Sequence, residues 1–220
     1  MATTGSRTAR TGPGRSPRPL AKSAATRRRI LDAAARVLMD NGYAAARLSD
    51  IAEHAGLQAG SLYYYFPSKD DLVEEVLRYG VQFTHAHVRS AVEELPAGAG
   101  AGDRLHAAVG AHLEAMLELG DLAPAHVRTF NQVPAEMQER LRPVRRSFGN
   151  FWASLVDEAT SDGELRDDVD PYVIRLFIVN LLERVPEWPL RTRQSAEALG
   201  DTLRKLIFDG VGGRTHRRPG

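Results

Sequence analysis

An all-α fold is predicted by three observations. Apolar residues recur at three- and four-residue spacing in one segment after another. The two-residue alternation of a half-buried strand is nearly absent, and Gly and Pro stand where the periodic segments end. About nine helices are expected over the 220 residues, whose 43% apolar content is enough for a real core. The expected division is a disordered basic arm over residues 1–25, a three-helix unit over 26–72, a larger helical bundle over 73–211 and a tail over 212–220.

The arm comes first. Residues 1–29 hold eight Arg or Lys and no acid, so the net charge of +1 hides 21 basic against 28 acidic side chains in the remainder. A basic arm on an acidic body concentrates phosphate attraction at one end. Its Gly, Pro, Ser and Thr content predicts disorder. Two readings stay open: a solvated tail, or an arm that tracks phosphates or enters a minor groove. A helix follows over 26–41, with Ile30, Ala34, Val37 and Leu38 as its stripe and Gly42 as its stop. Arg27 and Arg28 at its start are placed either to reach phosphate or simply to be solvated.

Residues 47–69, RLSDIAEHAGLQAGSLYYYFPSK, read as two short helices and a tight turn. Leu48, Ile51, Ala52 and Ala55 give the first an apolar face. Gly56 supplies the left-handed turn, and Pro67 ends the second helix. Leu62 and Phe66, one turn apart, take its buried side, which leaves Gly60 and Tyr64 opposite, flanked by Ser61, Tyr63 and Tyr65. A small, hydroxyl-rich outer face fits a major groove. The expected DNA contacts are Gln58, Ala59, Gly60, Ser61, Tyr63, Tyr64 and Tyr65, with Arg47 and Ser49 at the start of the first helix. Ser68-Lys69-Asp70-Asp71 resembles a capping box, and Lys69 beside its free amides is the best single phosphate contact. Base readout favours Arg, Asn or Gln, and this helix offers Gln58 alone, so specificity is expected to lean on DNA shape.

This stretch resembles the DNA-binding domain of the TetR family of transcriptional repressors over roughly residues 26–72. The matching positions are Ile30, Leu31, Ala33, Ala34, Asn41, Gly42, Tyr43, Asp50, Ile51, Ala52, Ala55, Gly56, Gly60, Leu62, Tyr63, Tyr64, Phe66, Ser68 and Lys69, at fixed spacing without gaps. Three positions depart from the pattern: Ala46 stands where the family usually has Thr, Ala59 where a lysine or polar reader is frequent, and Tyr65 where histidine is common.

The next helix, with Leu72, Val76, Tyr79 and Phe83, is expected to run to about residue 95 and to join the two units, with Gly80 as a flexure point. Residues 96–102 (PAGAGAG) form a linker. Helices are then expected over 103–119, 124–133 and 134–160, the last kinked at Pro143. An acidic loop over 161–169 precedes Asp170-Pro171, an N-cap and first-turn pair. The helix over 173–185 is apolar on almost every side and stops at Pro186 and Pro189; Ser195 caps a last helix that ends near Gly210.

Two such greasy final helices predict a homodimer paired through Phe177, Leu181, Leu199, Leu203, Leu206 and Ile207, and the resemblance implies the same. It also implies a double-stranded DNA operator and a small-molecule effector held among the middle helices. Phe83, Met116, Phe130, Met137, Phe148, Phe151, Trp152 and Phe177 are the apolar pocket candidates, with Arg128, Arg142, Arg145 and Arg146 for an acidic head group. The segment from Arg128 to Pro134 and Pro186-Glu187-Trp188 are similar to repressors of lipid and steroid catabolism that sense acyl-CoA thioesters.

Enzyme readings fare badly. His85 and His87 are two apart on a helix and diverge by about 200°. No Gly-rich phosphate loop, nucleophile elbow or HExxH is present, and no catalytic residue, metal site or cofactor is expected. No run approaches the ~20 apolar residues of a membrane helix, and the absence of cysteine suits a cytoplasmic protein. The leading reading is a DNA-binding repressor released from a palindromic operator by a largely apolar effector. The alternatives are a regulator or activator without such an effector, and an all-α metabolic binding protein or enzyme.

Overall fold

Nine helices make up the described residues, 19–188 and 196–211, of the computed structural model; no strand occurs among them. The basic residues before 19, Ser195 and the tail after 211 lie outside the described residues. α1 (Pro19–Ala45) begins ahead of the expected residue 26. Proline is at home in a first helical turn, and the alanines that follow are strong helix formers. The helix kinks at Gly42, whose φ of 72° only glycine adopts freely.

α2 (Leu48–His54) and α3 (Ala59–Tyr65) form the helix-turn-helix. Gly56 (φ 62°) turns the chain, and the Leu57 amide donates to the Ala52 carbonyl (2.8 Å), which closes the end of α2. Arg47 is the N-cap of α2 and makes no side-chain cap; Ala46 is buried. α4 (Lys69–Glu93) opens on Ser68, whose hydroxyl accepts from the Asp71 amide (3.1 Å), as the capping box predicts.

α5 (Ala101–Leu119), α6 (Leu122–Thr129) and α7 (Ala135–Ser161) follow, and α7 runs through Pro143 as one helix. α8 (Pro171–Arg184) is capped by Asp170, which accepts from the Tyr172 amide (2.8 Å). A 3-10 turn, Val185–Glu187, leaves it, and α9 (Ala196–Val211) closes the described chain.

Two hydrophobic cores result. The first gathers Ile30, Val37, Ile51, Leu62, Phe66, Leu72 and Val76 from α1 to α4. It also takes Met116, Leu122, Met137 and Leu141 from α5, α6 and α7, so the helix-turn-helix is anchored in the larger bundle. The second joins the far half of α4 to α5, α7, α8 and α9 around Leu105, Trp152, Ile178 and Leu203. Gly80 is a packing position and not a flexure point: a Cβ there would stand 3.1 Å from the His126 Cβ, so its bareness lets α6 close on α4. Among the described residues, no helix is long and apolar enough to cross a membrane, and no three potential metal ligands cluster.

Candidate DNA-binding face and effector cavity

α3 presents one face outward because Leu62 and Phe66, 0% and 2% exposed, hold the other in the core. Gln58, Ala59, Gly60 and Ser61 are exposed at its start. Tyr63 and Tyr64 are 55% and 85% exposed. Tyr65 is half-buried against the first core and meets Tyr64 edge to ring at 5.3 Å, so it props Tyr64 more than it faces outward. Arg47 and Ser49 are exposed beside this face, with the Ser49 hydroxyl donating to Asp50 (2.9 Å).

The cations expected at phosphate are bound more closely to the protein than the sequence suggested. Arg27 pairs with Glu75 (2.9 Å) and lies over the Phe66 ring at 4.5 Å. Arg28 donates to Asp32 (2.9 Å) and to the Tyr79 hydroxyl (2.7 Å). Both sit inside α1 instead of at its start, because the helix begins at Pro19. Lys69 donates to the Tyr43 carbonyl (3.0 Å) and covers the Tyr43 ring at 4.5 Å. Tyr43 in turn donates to Asp70 (2.8 Å), so the kinked end of α1 is tied to the start of α4 behind α3. Burial first, and the Asp70 carboxylate second, hold the Tyr43 phenol above its usual pKa.

A cavity of about 200 Å³ lies deeper, between α4, α6, α7 and α8. α7 supplies Arg145, Phe148, Gly149 and Trp152, which share one face at helical spacing. Val81 comes from α4 and His126 from α6, while Arg175, Leu176, Val179 and Glu183 come from α8. Three sequence candidates, Arg145, Phe148 and Trp152, therefore meet here. Met116 and Met137 do not; both are 1% exposed in the first core. Phe83 stacks on Tyr79 (5.9 Å), and Phe151 packs beside His85 (5.5 Å). Arg128 pairs with Glu187 (2.9 Å). Phe177 is 49% exposed on the outer side of α8.

The polar wall of the cavity has a defined electrostatic order. Arg145 Nη1 lies 3.2 Å from His126 Nε2, and its guanidinium covers the Phe130 ring at 4.0 Å. Since Arg can only donate, Nε2 accepts and His126 carries its proton on Nδ1. Burial, then the Arg145 charge, push the His126 pKa down to about 4. Behind the wall, burial and then His126 take His112 down to about 3. Burial raises the Glu183 carboxyl above the usual carboxylate range, against the pull of Arg145 and Arg184. Arg175 donates to the Gly149 carbonyl (2.8 Å). Arg145 also borders an open groove lined by Phe130, Gln138, Arg142 and Arg146, of about 390 Å³; Arg142 is paired with Glu139.

The sequence missed His126, Arg175 and Glu183. Arg175 and Glu183 were legible as charges on an otherwise apolar helix. His126 had no local signal, since only the approach of α6 to Gly80 brings it inward.

The dimer candidates divide. Leu199, Leu203 and Ile207 are 5%, 1% and 0% exposed, turned into the core of their own chain. Leu181 is half-buried. Phe177 and, at 61%, Leu206 remain outside, and Tyr172 and Val173 on α8 are exposed as well.

Comparison with known proteins agrees with this architecture. Residues 30–76 match the family model for bacterial regulatory proteins of the tetR family, and residues 98–211 match the tetracyclin repressor-like C-terminal domain. The HTH-type transcriptional repressor KstR of Mycolicibacterium smegmatis is 33% identical over 80% of this chain and 82% of its own. The structure of the ketosteroid transcriptional regulator KstR2 of Mycobacterium tuberculosis superposes with a TM-score of 0.74 at 22% identity, covering 86% of this chain and 95% of that one. The structure of AibR in complex with isovaleryl coenzyme A and operator DNA superposes at 0.71 with 22% identity, covering 83% and 98%. The chain belongs to the TetR family of bacterial transcriptional regulators, with its helix-turn-helix inside the N-terminal match and its later helices inside the C-terminal one.

Proposed function

We propose that the chain is a cytoplasmic homodimeric repressor without enzymatic activity, released from a palindromic operator by an acyl-CoA thioester. One observation carries the effector class: the apolar cavity of Phe148, Trp152 and Val179 shares Arg145 with an exposed arginine groove. A ligand that fits both parts has an uncharged body and a polyanionic head, and Arg142 and Arg146 suit phosphate. AibR, of the same fold, was crystallised with isovaleryl coenzyme A and operator DNA.

Tyr63, Tyr64, Gln58 and Ser61 approach the duplex, with Ala59 and Gly60 allowing close contact and Arg47, Ser49 and Lys69 at the phosphates. The exposed face of Phe177 and Leu206 pairs two chains and sets the two heads about one DNA turn (~34 Å) apart. Signal passes through α6. His126 on the cavity wall packs against Gly80 of α4. Arg36 of α1 meets Asp121 beside α6 (3.1 Å), and the Tyr43 amide donates to Gln132 (2.9 Å). A ligand that displaces α6 thus moves both α1 and α4, which carry the head.

The test is a gel shift with the chain's own promoter DNA at rising salt, followed by titration with acyl-CoA esters. Salt-sensitive binding that an acyl-CoA ester reverses is expected. Binding that no ester disturbs would remove the effector assignment, and absence of binding would remove the operator.

A further inference from the structure

We propose that the acyl part of the effector is short and carries a hydroxyl group, held between Arg145 as donor and Glu183 as acceptor. The proposal rests on the thioester reading for the head group alone.

The size of the cavity suits a short acyl part. A cavity of ~150 Å³ holds benzene, so about 200 Å³ accommodates a ring or a short chain. The wall excludes a purely alkyl one. Glu183 lies on the apolar helix α8, between Leu182, a core residue, and the exposed face. Glu183 lines the cavity, and no hydrogen bond to its carboxyl is formed within the described residues; its charge partners are Arg145 and Arg184. A half-buried carboxyl without a donor weakens a fold, so a ligand that supplies one gains by it. Arg145 cannot accept, and Glu183, when ionised, cannot donate. A hydroxyl does both, satisfying the pair at once.

Arg175 is already engaged by Gly149. The opposite wall, Val81, Phe148 and Val179, is apolar and takes the carbon skeleton. Where a site is built to hydrogen-bond a hydroxyl, the analogue lacking it is rejected strongly, because the buried groups are left bare.

The experiment compares hexanoyl-CoA, 3-hydroxyhexanoyl-CoA, 5-hydroxyhexanoyl-CoA and palmitoyl-CoA by calorimetric titration of the full chain, with the matching free acids as a second arm. At least one hydroxy ester should bind tenfold or more tighter than hexanoyl-CoA, and palmitoyl-CoA should bind weakest. Glu183→Leu should abolish that preference and raise the melting temperature, since it removes a half-buried carboxyl that has no hydrogen-bond donor; Glu183→Met gives the same reading if the leucine variant does not fold. Equal binding of hexanoyl and hydroxyhexanoyl esters, or tightest binding of palmitoyl-CoA, overturns the hydroxyl and leaves the thioester standing. If only the free hydroxy acids are preferred, the thioester falls and the hydroxyl stands. If neither arm distinguishes hydroxyl from alkyl, this inference fails.

Discussion

Tyr64 and His126 mark the two ends of what a single residue does here. At 85% exposure the Tyr64 ring contributes almost nothing to the core, so its place on α3 is accounted for by an external partner. Tyr64→Ala is expected to weaken operator binding by about 1–3 kcal/mol, roughly five- to 150-fold, the range of a base-stacking aromatic. Its melting temperature should stay within a degree or two of wild type. Unchanged affinity in a gel shift would move the reading face elsewhere. His126 and His112 act on stability instead. Their folded pKa values, about 4 and about 3, lie below the unfolded value of 6.5. The unfolded chain therefore binds more protons in that window. Stability is fully present above pH 6.5 and is lost as pH falls toward 4 and below. At pH 5 each histidine should cost on the order of 2 kcal/mol. Glu183, raised by burial, works in the opposite sense over its own window. Urea denaturation at pH 7 and pH 5 measures the loss, and His112→Phe should flatten it; a pH-independent midpoint would show that these rings are not held neutral by burial.

At the scale of the element, the coupling of cavity to head depends on where α1 ends. Gly42 is needed twice: its φ of 72° excludes other residues, and a Cβ there would lie 2.9 Å from Gln132 Oε1. That oxygen accepts from the Tyr43 amide, so the loop after α6 grips the kink of α1 directly. Gln132→Ala removes the grip without touching either the cavity or α3. The ratio of operator affinities without and with a releasing acyl-CoA should shrink by about 0.5–2 kcal/mol of coupling, while affinity in the absence of ligand changes little. An undiminished ratio would mean that the signal travels through Arg36 and Asp121 or through α4. None of this was legible in the chain, and the reason is physical. Periodicity reports which side of a helix is apolar, and so it located Leu62, Phe66 and the face of α7. Turn chemistry likewise located Gly56 and Ser68, since both act on neighbours in sequence. Periodicity does not report what an apolar side meets. Met116 and Met137 looked like pocket walls and serve instead to bind the head to the bundle. Gly80 looked like a hinge because the approach of His126, distant in sequence, is a tertiary fact. The start of α1 was misplaced because the Gly, Pro, Ser and Thr content of the arm reads as disorder, while Pro19 and the alanines after it can already form a first helical turn.

At the scale of the molecule, the proposed pairing asks two greasy terminal helices to satisfy both a core and a partner, and exposure separates the two demands. Leu203, Leu199 and Ile207 close the second core of their own chain, whereas Phe177, Leu206, Tyr172 and Val173 are left outside it. Exposed apolar side chains gathered on α8 and present on α9 mark an interaction surface. Palindromic recognition supplies the reason for a two-fold partner, because one helix-turn-helix makes too few contacts alone. A charge at each set of positions should then give opposite phenotypes. Phe177→Glu places the carboxylate where a single chain meets solvent, so the chain should stay folded, with the helical signal of wild type, and elute as a monomer. Leu203→Glu buries a carboxylate in the core and should unfold the C-terminal domain, at a cost of several kcal/mol. The Phe177→Glu monomer should also lose operator binding although α3 is intact, since the second half-site contact is gone. Size-exclusion chromatography with light scattering, circular dichroism and a gel shift on the same two variants decide the matter. A Phe177→Glu chain that still elutes as a dimer, or a monomer that still holds a full operator at wild-type affinity, would show that pairing lies on another surface or is not what sets the spacing of the heads.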